Sequence, residues 1–142
     1  MEDMSESMDV GTVSSRAAWS ALASDPHAVL VDVRTASEWS WVGVPDTSSL
    51  TSRMVFIEWM RSDGEPNEDF CSELAEAGVG EESAVYFLCR SGARSQAAAE
   101  ASASKVGQPF NILDGFEGPL DADGHRGTST GWKASGLPWR QS

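Results

Sequence analysis

Short apolar runs alternate along the chain with stretches in which apolar residues recur at helical spacing. The apolar runs are six or seven residues long and are bounded by turn-forming residues, which is typical of strands. Buried strands of parallel sheets have nearly continuous apolar sequences rather than alternating ones. We therefore predict strands at residues 28–33 (AVLVDV), 53–59 (RMVFIEW), 83–89 (SAVYFLC) and 110–115 (FNILDG).

Helical spacing of apolar residues marks the segments between these runs. Caps and stops support this interpretation, since a serine precedes the first helix, Pro26 ends it, and Gly78 and Gly107 follow the next two. Helices that alternate with buried strands predict an α/β domain with a mainly parallel central sheet and helices on both of its faces. The predicted helices are residues 14–26, 67–78 and 94–106, with a short closing helix at residues 132–139.

Length and composition indicate a single domain. The chain has 142 residues and an apolar fraction of 40%, enough to bury a sizeable core. We predict a disordered acidic leader at residues 1–12, one domain at residues 13–142, and within it a turn-rich excursion at about residues 117–131. The acidic leader is unlike a secretory signal, and no apolar run approaches the roughly 18 residues of a membrane span. These features predict a cytoplasmic protein.

The net charge of the chain and its distribution limit which classes of molecule it is expected to bind. The net charge of −12 argues against nucleic acid and against anionic membrane surfaces. Nine acids and one base fall within residues 58–82, a run that is either a solvated face or a docking face for a basic partner protein. Against this background the segment CRSGARS, residues 89–95, carries two arginines and no acid. A cationic turn in an acidic protein indicates a site for a small anion.

Cys89 occupies the junction where the third predicted strand meets the third long helix. Parallel sheets place their sites at this edge, and a helix start favours an anion through its free amides. A cysteine reacts as the thiolate, so Arg90 and Arg94 nearby would favour the reactive form. Gly92 permits a positive φ that turns successive amides inward, while Ser91 and Ser95 can cap the helix or donate to a bound group. The alternative is that Cys89 is only a small buried apolar residue.

The Cys89 loop and its following small-residue helix resemble the active-site loop of rhodanese-like sulfurtransferases. The segment LVDVRTASEW, residues 30–39, resembles the first buried strand of that family, and residues 111–139 resemble its closing strand and terminal helix. One element departs: the family usually continues with Gly-His-Ile-Pro-Gly, whereas residues 42–46 are VGVPD and only Pro45 aligns. We therefore carry no function onto that loop.

The resemblance implies a mechanism and a set of roles. Cys89 would take a sulfane sulfur from a small anionic donor such as thiosulfate and pass it, as a persulfide, to a thiol or protein acceptor. Arg90 would hold the anionic end of the donor, and Arg94 would add charge to the pocket or fix the loop. Asp32 and Arg34 would support the loop or pair with Glu38. The implied persulfide-binding loop consists of Arg90, Ser91, Gly92, Ala93, Arg94 and Ser95.

Two rival functions are weighed against this one. Cysteine phosphatases and arsenate reductases resemble Cys-x5-Arg, whereas four residues separate Cys89 from Arg94 here and Ser95 stands at the phosphatase arginine position. A shorter loop suits a single sulfur atom. A non-catalytic rhodanese-type interaction module is the second rival, although such domains usually lack the cysteine.

The remaining candidates point to no cofactor. Cys71 could act as a resolving thiol, but it lies beside the apolar face of its predicted helix and is interpreted as a packing residue. His27 and His125 have no further ligands at metal spacing, so we predict no metal site.

Overall fold

A computed structural model describes residues 10–141 of the chain. Five strands form one sheet in the order β1-β6-β5-β2-β4, and every neighbouring pair in it is parallel. Two further strands pair antiparallel as a separate ribbon, β3-β7. The elements are β1 (Gly11–Val13), α1 (Ser15–Ser24), β2 (Val29–Asp32), α2 (Ala36–Trp41), β3 (Val44–Pro45), β4 (Arg53–Phe56), α3 (Phe70–Glu76), β5 (Ala84–Leu88), α4 (Ala93–Ser102), β6 (Gln108–Ile112) and β7 (Trp139–Arg140).

The two central strands separate two apolar cores. Alternate side chains of β2 and β5 point to opposite faces of the sheet, as strand geometry requires. On one face Val31 and Phe87 pack with residues of α3 and α4, including Phe70 and Ala98. On the other face Leu30 and Leu88 pack with α1, Phe116 and Trp132. The predicted α/β architecture, with a mainly parallel sheet and helices on both faces, is confirmed.

Side-chain caps explain where two of the helices begin. The Ser14 hydroxyl accepts a hydrogen bond from the Ala17 amide at 3.1 Å, so the predicted serine cap of α1 is present. Thr35 and Glu38 form a capping box at the start of α2, in which each side chain binds the backbone of the other. No helix was predicted at α2, because its six residues are too few to show a clear period.

Two predictions at the ends of the chain need correction. Gly11–Val13 form a strand that pairs with β6, so residues 11 and 12 belong to the domain; residues 1–9 of the predicted leader lie outside the described residues. The predicted closing helix at residues 132–139 is wrong, because residues 132–136 form turns. Gly136, inside the predicted helix, has a φ of 76°, which lies outside the α-helical range.

The ribbon explains where the closing segment goes instead. Trp139 and Arg140 pair with Val44 and Pro45, which places the end of the chain beside the loop after α2. Other predicted elements are present with shifted bounds: the strand predicted at residues 110–115 is Gln108–Ile112, and the helix predicted at residues 94–106 is Ala93–Ser102.

The segment predicted as a turn-rich excursion, residues 117–131, consists of turns, bends and irregular backbone, with no helix or strand. Its two ends are held together at the base. The Asp114 carboxylate accepts a hydrogen bond from the Gly131 amide at 3.1 Å, and the Gly115 carbonyl accepts one from the Trp132 amide at 2.8 Å. The excursion therefore leaves and rejoins the domain beside β6. Over residues 10–141, no helix has both the length and the apolar character that crossing a membrane requires.

Candidate active site

Cys89 lies immediately after β5, at the carboxyl edge of the parallel sheet. It is 2% exposed and packs within the core formed by α3, α4 and the central strands. Its sulfur accepts a hydrogen bond from the Gly92 amide at 3.1 Å and lies 3.2 Å from the Ser95 hydroxyl oxygen. The loop therefore curls back onto the sulfur and places one amide, that of Gly92, on it.

Gly92 is the residue that allows this curl. Its φ of 110° is a conformation that side chains with a Cβ rarely adopt, and a Cβ there would lie 2.3 Å from the Leu113 carbonyl oxygen. Gly92 is also the N-cap of α4, and among the described residues no side chain caps this helix. The suggested capping roles of Ser91 and Ser95 are therefore corrected: the Gly92 amide binds the Cys89 sulfur, and the Ser95 hydroxyl lies 3.2 Å from the Gly92 carbonyl oxygen.

The segment that follows β6 forms backbone hydrogen bonds with the Cys89 loop. The Phe116 amide donates to the Cys89 carbonyl at 2.8 Å, and the amides of Glu117 and Gly118 donate to the Arg90 carbonyl at 3.0 and 3.1 Å. The Arg90 side chain itself is exposed. The excursion thus begins in direct contact with the Cys89 loop, a contact between segments that the spacing of apolar residues did not reveal.

Arg94 and Glu38 form a two-pronged ion pair. Nη1 and Nη2 of Arg94 donate to the two carboxylate oxygens of Glu38 at 2.7 and 2.8 Å. Burial would raise the pKa of Glu38, but the hydrogen bonds and charge of Arg94, together with bonds from Thr35, lower it from 4.5 to about 2. The hydrogen bond to Glu38 raises the pKa of Arg94 against its own burial, and the nearby charges of Glu38, Cys89 and Asp32 add to this. Arg94 therefore remains a cation beside the sulfur.

Asp32 and Arg34 pair with each other, so the expected pairing of either with Glu38 is corrected. Both side chains are 0% exposed, and Nη2 of Arg34 lies 2.7 Å from Asp32 Oδ2 and 2.8 Å from the Gly43 carbonyl oxygen. The guanidinium also stacks on the Phe116 ring, with 4.3 Å from Cζ to the ring centroid. Since the Phe116 amide binds the Cys89 carbonyl, this buried pair supports the residue that anchors the loop.

A family model described as the STR4 middle domain matches residues 10–142 of the chain. The chain belongs to the STR4 middle domain family. A crystal structure of Rv0390 from M. tuberculosis is 51% identical and superimposes with a TM-score of 0.85, covering 94% of this chain and 98% of that one. At this identity the shared fold confirms the α/β prediction.

Other relatives of this STR4-type domain differ in what their names report. The uncharacterized protein RP600 homolog of Rickettsia rickettsii is 37% identical over 136 residues, which is 94% of this chain and 99% of that protein. The chloroplastic rhodanese-like domain-containing protein 4 of Arabidopsis thaliana is 28% identical over 131 residues, but the match spans 25% of that protein. The rhodanese-like name of this distant relative supports a rhodanese-type domain.

Asn111 is a site residue of the STR4-type domain that sequence reasoning missed. It is 3% exposed on β6, its Oδ1 accepts from the Ser95 hydroxyl at 2.5 Å, and its Nδ2 donates to the Gly92 carbonyl at 3.2 Å. The signal that could have found it is a polar amide within an apolar run, because a buried polar side chain needs a specific partner.

Cys71 lies apart from these contacts. It is half-buried on α3, packs against the same apolar core, and its sulfur lies 3.7 Å from the Ala101 carbonyl oxygen. Its surroundings agree with a packing role. Among residues 10–141, no three His, Cys, Asp or Glu side chains lie close enough together to hold a metal ion.

Proposed function

We propose that this protein is a rhodanese-type sulfurtransferase that moves a sulfane sulfur from a thiosulfate-like anion to a thiophilic acceptor through a Cys89 persulfide. The observation that carries the proposal is the position of the Cys89 sulfur. It lies at the sheet edge, 3.1 Å from an inward-facing amide at the start of α4, beside the cationic Arg94. Such a loop stabilises a sulfur anion.

The two half-reactions balance without a cofactor. The Cys89 thiolate attacks the outer sulfur of thiosulfate, the S–S bond of the donor breaks, and sulfite leaves with the bonding electron pair. The enzyme then carries a persulfide whose terminal sulfur holds the negative charge. Attack on that sulfur by cyanide or by an acceptor thiolate breaks the new S–S bond and returns the Cys89 thiolate.

Arg90 and Arg94 have different roles in the proposed reaction. Arg90 is exposed, so its guanidinium is free to meet the anionic end of a donor that approaches from solvent. Arg94 is held by Glu38 and instead supplies a fixed positive charge beside the sulfur. Because Cys89 is only 2% exposed, the donor must be small or present its sulfur on a narrow end.

Phosphatase or arsenate reductase chemistry is the alternative that the loop geometry disfavours. A Cys-x5-Arg loop would place its arginine at residue 95, where the chain instead has a fully buried serine bonded to Asn111. The Arg94 guanidinium is held by Glu38 at 2.7 and 2.8 Å. A tetrahedral oxyanion would therefore lack the arginine that binds two of its oxygens in a Cys-x5-Arg loop.

The nature of the protein partner stays a prediction. Seven of the nine acidic residues within 58–82 are exposed, as both a solvated face and a docking face require. On this face an open groove of about 480 Å³ combines the aromatic rings of Trp39 and Phe56 with the carboxylates of Glu58, Glu73 and Glu76. We propose a basic acceptor protein for this face and a cytoplasmic location. Sulfur transfer to such an acceptor should slow as salt is added, whereas transfer to cyanide should not.

Intact mass spectrometry after incubation with thiosulfate tests the reaction. Wild type and Cys71→Ser should each gain one sulfur atom that cyanide removes, and Cys89→Ser should gain none. The Cys71→Ser variant is the matched control, because it removes the other thiol. Hydrolysis of an aryl phosphate without sulfur gain would favour the phosphatase alternative. Neither reaction, with thiosulfate and a persulfide donor both tried, would favour the interaction module.

A further inference from the structure

Four hydrogen bonds link Cys89 to Asn111 in a closed ring that starts and ends on Gly92. The Gly92 amide donates to the Cys89 sulfur, and the Gly92 carbonyl accepts from Asn111 Nδ2. Between them, Ser95 Oγ lies 3.2 Å from the sulfur and 2.5 Å from Asn111 Oδ1. All four residues are buried, so water is not needed to complete the ring.

The Gly92 carbonyl fixes which way the Asn111 amide points. If the amide were reversed, its oxygen would face the Gly92 carbonyl oxygen, and two acceptors would meet without a proton between them. With Nδ2 on Gly92, the Asn111 oxygen faces Ser95. The Ser95 hydroxyl also lies 3.2 Å from the Gly92 carbonyl oxygen, but Asn111 Oδ1 at 2.5 Å is the nearer acceptor and receives the proton. A hydroxyl carries one proton, so Ser95 cannot at the same time donate to the Cys89 sulfur.

We propose that Asn111 is a positioning residue that turns the Ser95 hydroxyl proton away from Cys89, and so favours the thiol against the thiolate that the Gly92 amide and Arg94 stabilise. In the thiol state the Cys89 S–H donates to Ser95 Oγ, and all four bonds of the ring run in one direction. When a base in solution removes the thiol proton, Ser95 turns to donate to the sulfur anion and Asn111 Oδ1 loses its partner. Ionisation therefore carries the cost of one buried hydrogen bond.

This inference rests on the proposed function for its biological meaning, but its test does not. Other charged groups around Cys89 stay unchanged in the variants: Arg94 on α4, Glu38 on α2, and the Asp32–Arg34 pair at the end of β2. Arg90 in the loop is exposed. In the variants the Gly92 carbonyl keeps two donors within reach, the Gln96 amide and the Ser95 hydroxyl, each at 3.2 Å, so replacing Asn111 does not leave it unpaired.

The test is the pH dependence of Cys89 alkylation by iodoacetamide, measured in a Cys71→Ser background so that one thiol reacts. Asn111→Leu is close to the same size and cannot accept a hydrogen bond. We expect its alkylation midpoint to fall by about one pH unit, so that about tenfold more thiolate reacts at a fixed pH below the midpoint. Asn111→Asp, which accepts more strongly and adds a negative charge, should raise the midpoint.

If Asn111 is a positioning residue, its effect on the alkylation midpoint requires the Ser95 hydroxyl. A general structural role would not require it. In a Ser95→Ala background, Asn111→Leu should leave the midpoint unchanged. Asn111→Val is the substitute if the leucine variant fails to fold by circular dichroism. An unchanged or higher midpoint in the apolar variants, or an equal shift with and without Ser95, would overturn the proposal. Alkylation needs no sulfur transfer, so failure of the proposed function would appear only in the thiosulfate experiment.

Discussion

The Arg94 guanidinium binds both oxygens of the Glu38 carboxylate, at 2.7 and 2.8 Å, and so joins the first turn of α4 to α2. The two residues are 56 positions apart in the chain. Glu38 is itself fixed by the Thr35 capping box at the start of α2. The helix that begins at the Cys89 loop is therefore held from outside by a second helix, which limits how far the loop can move.

Arg94→Lys should slow sulfur transfer from thiosulfate to cyanide by about tenfold. A lysine keeps the charge but cannot make two parallel bonds to Glu38, so the loop and the cation both lose their fixed position. Steady-state thiocyanate formation measures the effect, with Arg16→Lys on the exposed surface of α1 as the control. A rate equal to that of wild type would mean that the paired geometry does not matter for the reaction.

Glu38→Gln should reduce stability in a way that depends on pH. Because the pKa of Glu38 is lowered from 4.5 to about 2 on folding, the folded state holds its proton less tightly than the unfolded state. The carboxylate therefore contributes stability that is fully present above about pH 5 and is lost as pH falls toward 2. We expect a difference of about 1 kcal/mol between wild type and variant at neutral pH, since the pair is partly exposed.

Urea denaturation at a series of pH values measures this difference. It should be constant from neutral pH down to about pH 5 and then shrink between 4.5 and about 2. A difference that grows as the pH falls would contradict the assignment of Glu38 as an ionised partner of Arg94.

Features that depend on neighbouring residues could be predicted from the sequence. The strand-turn-helix unit around Cys89 is local, so its apolar run and small-residue helix marked both the strand end and the loop. The positive φ of Gly92 was predicted and is 110°. The central strands β2 and β5 were found because strands buried on both faces have continuous apolar sequences.

Features that depend on contacts between distant segments could not be predicted. The Glu38–Arg94 pair and the Ser95–Asn111 bond join residues whose proximity is set by the sheet order, and no spacing along the chain encodes it. The ribbon strands β3 and β7 have two residues each, too few to show a period of two. A short closing helix was predicted at residues 132–139, but the positive φ of Gly136 interrupts any helix there.

The buried Asp32–Arg34 pair should be strongly sensitive to removal of one partner. Both side chains are 0% exposed, so Asp32→Asn leaves the Arg34 charge in the core without its counter-ion. We expect a loss of about 3–5 kcal/mol in the free energy of unfolding. The double variant Asp32→Asn/Arg34→Met should lose less than the sum of the two single variants, because it leaves no unpaired charge.

Urea denaturation again provides the measurement, and the half-exposed Arg61–Glu58 pair provides the comparison. Its nearest atoms are 3.8 Å apart and the Arg61 side chain is 45% exposed. Arg61→Met also removes the hydrogen bond from Arg61 Nη2 to Asn67 Oδ1 at 2.8 Å, but it should still cost less than Asp32→Asn because it leaves no buried charge without a partner. Equal losses for the buried and the half-exposed pair would contradict the importance of burial.

Gly92→Ala should abolish sulfur transfer and destabilise the domain. An alanine at this position meets two separate penalties: the φ of 110°, which disfavours any Cβ, and a contact of 2.3 Å between that Cβ and the Leu113 carbonyl oxygen. Backbone cannot move aside as a flexible side chain can, so the loop must shift and the Gly92 amide must leave the Cys89 sulfur. Backbone strain of this kind alone costs roughly 1–3 kcal/mol. We expect Gly92→Ala to lower the free energy of unfolding by more than that.

Gly64→Ala separates the two penalties. Gly64 also has a positive φ, 90°, but no atom of the described part of the chain lies within 4 Å of a Cβ placed there. This variant should lose about 1–2 kcal/mol and retain sulfur transfer, because Gly64 is exposed and the added Cβ displaces no neighbour. Gly92→Ala could instead lose no more stability than Gly64→Ala and still form a persulfide. That result would contradict the view that the close approach of Leu113 holds the Gly92 amide on the sulfur.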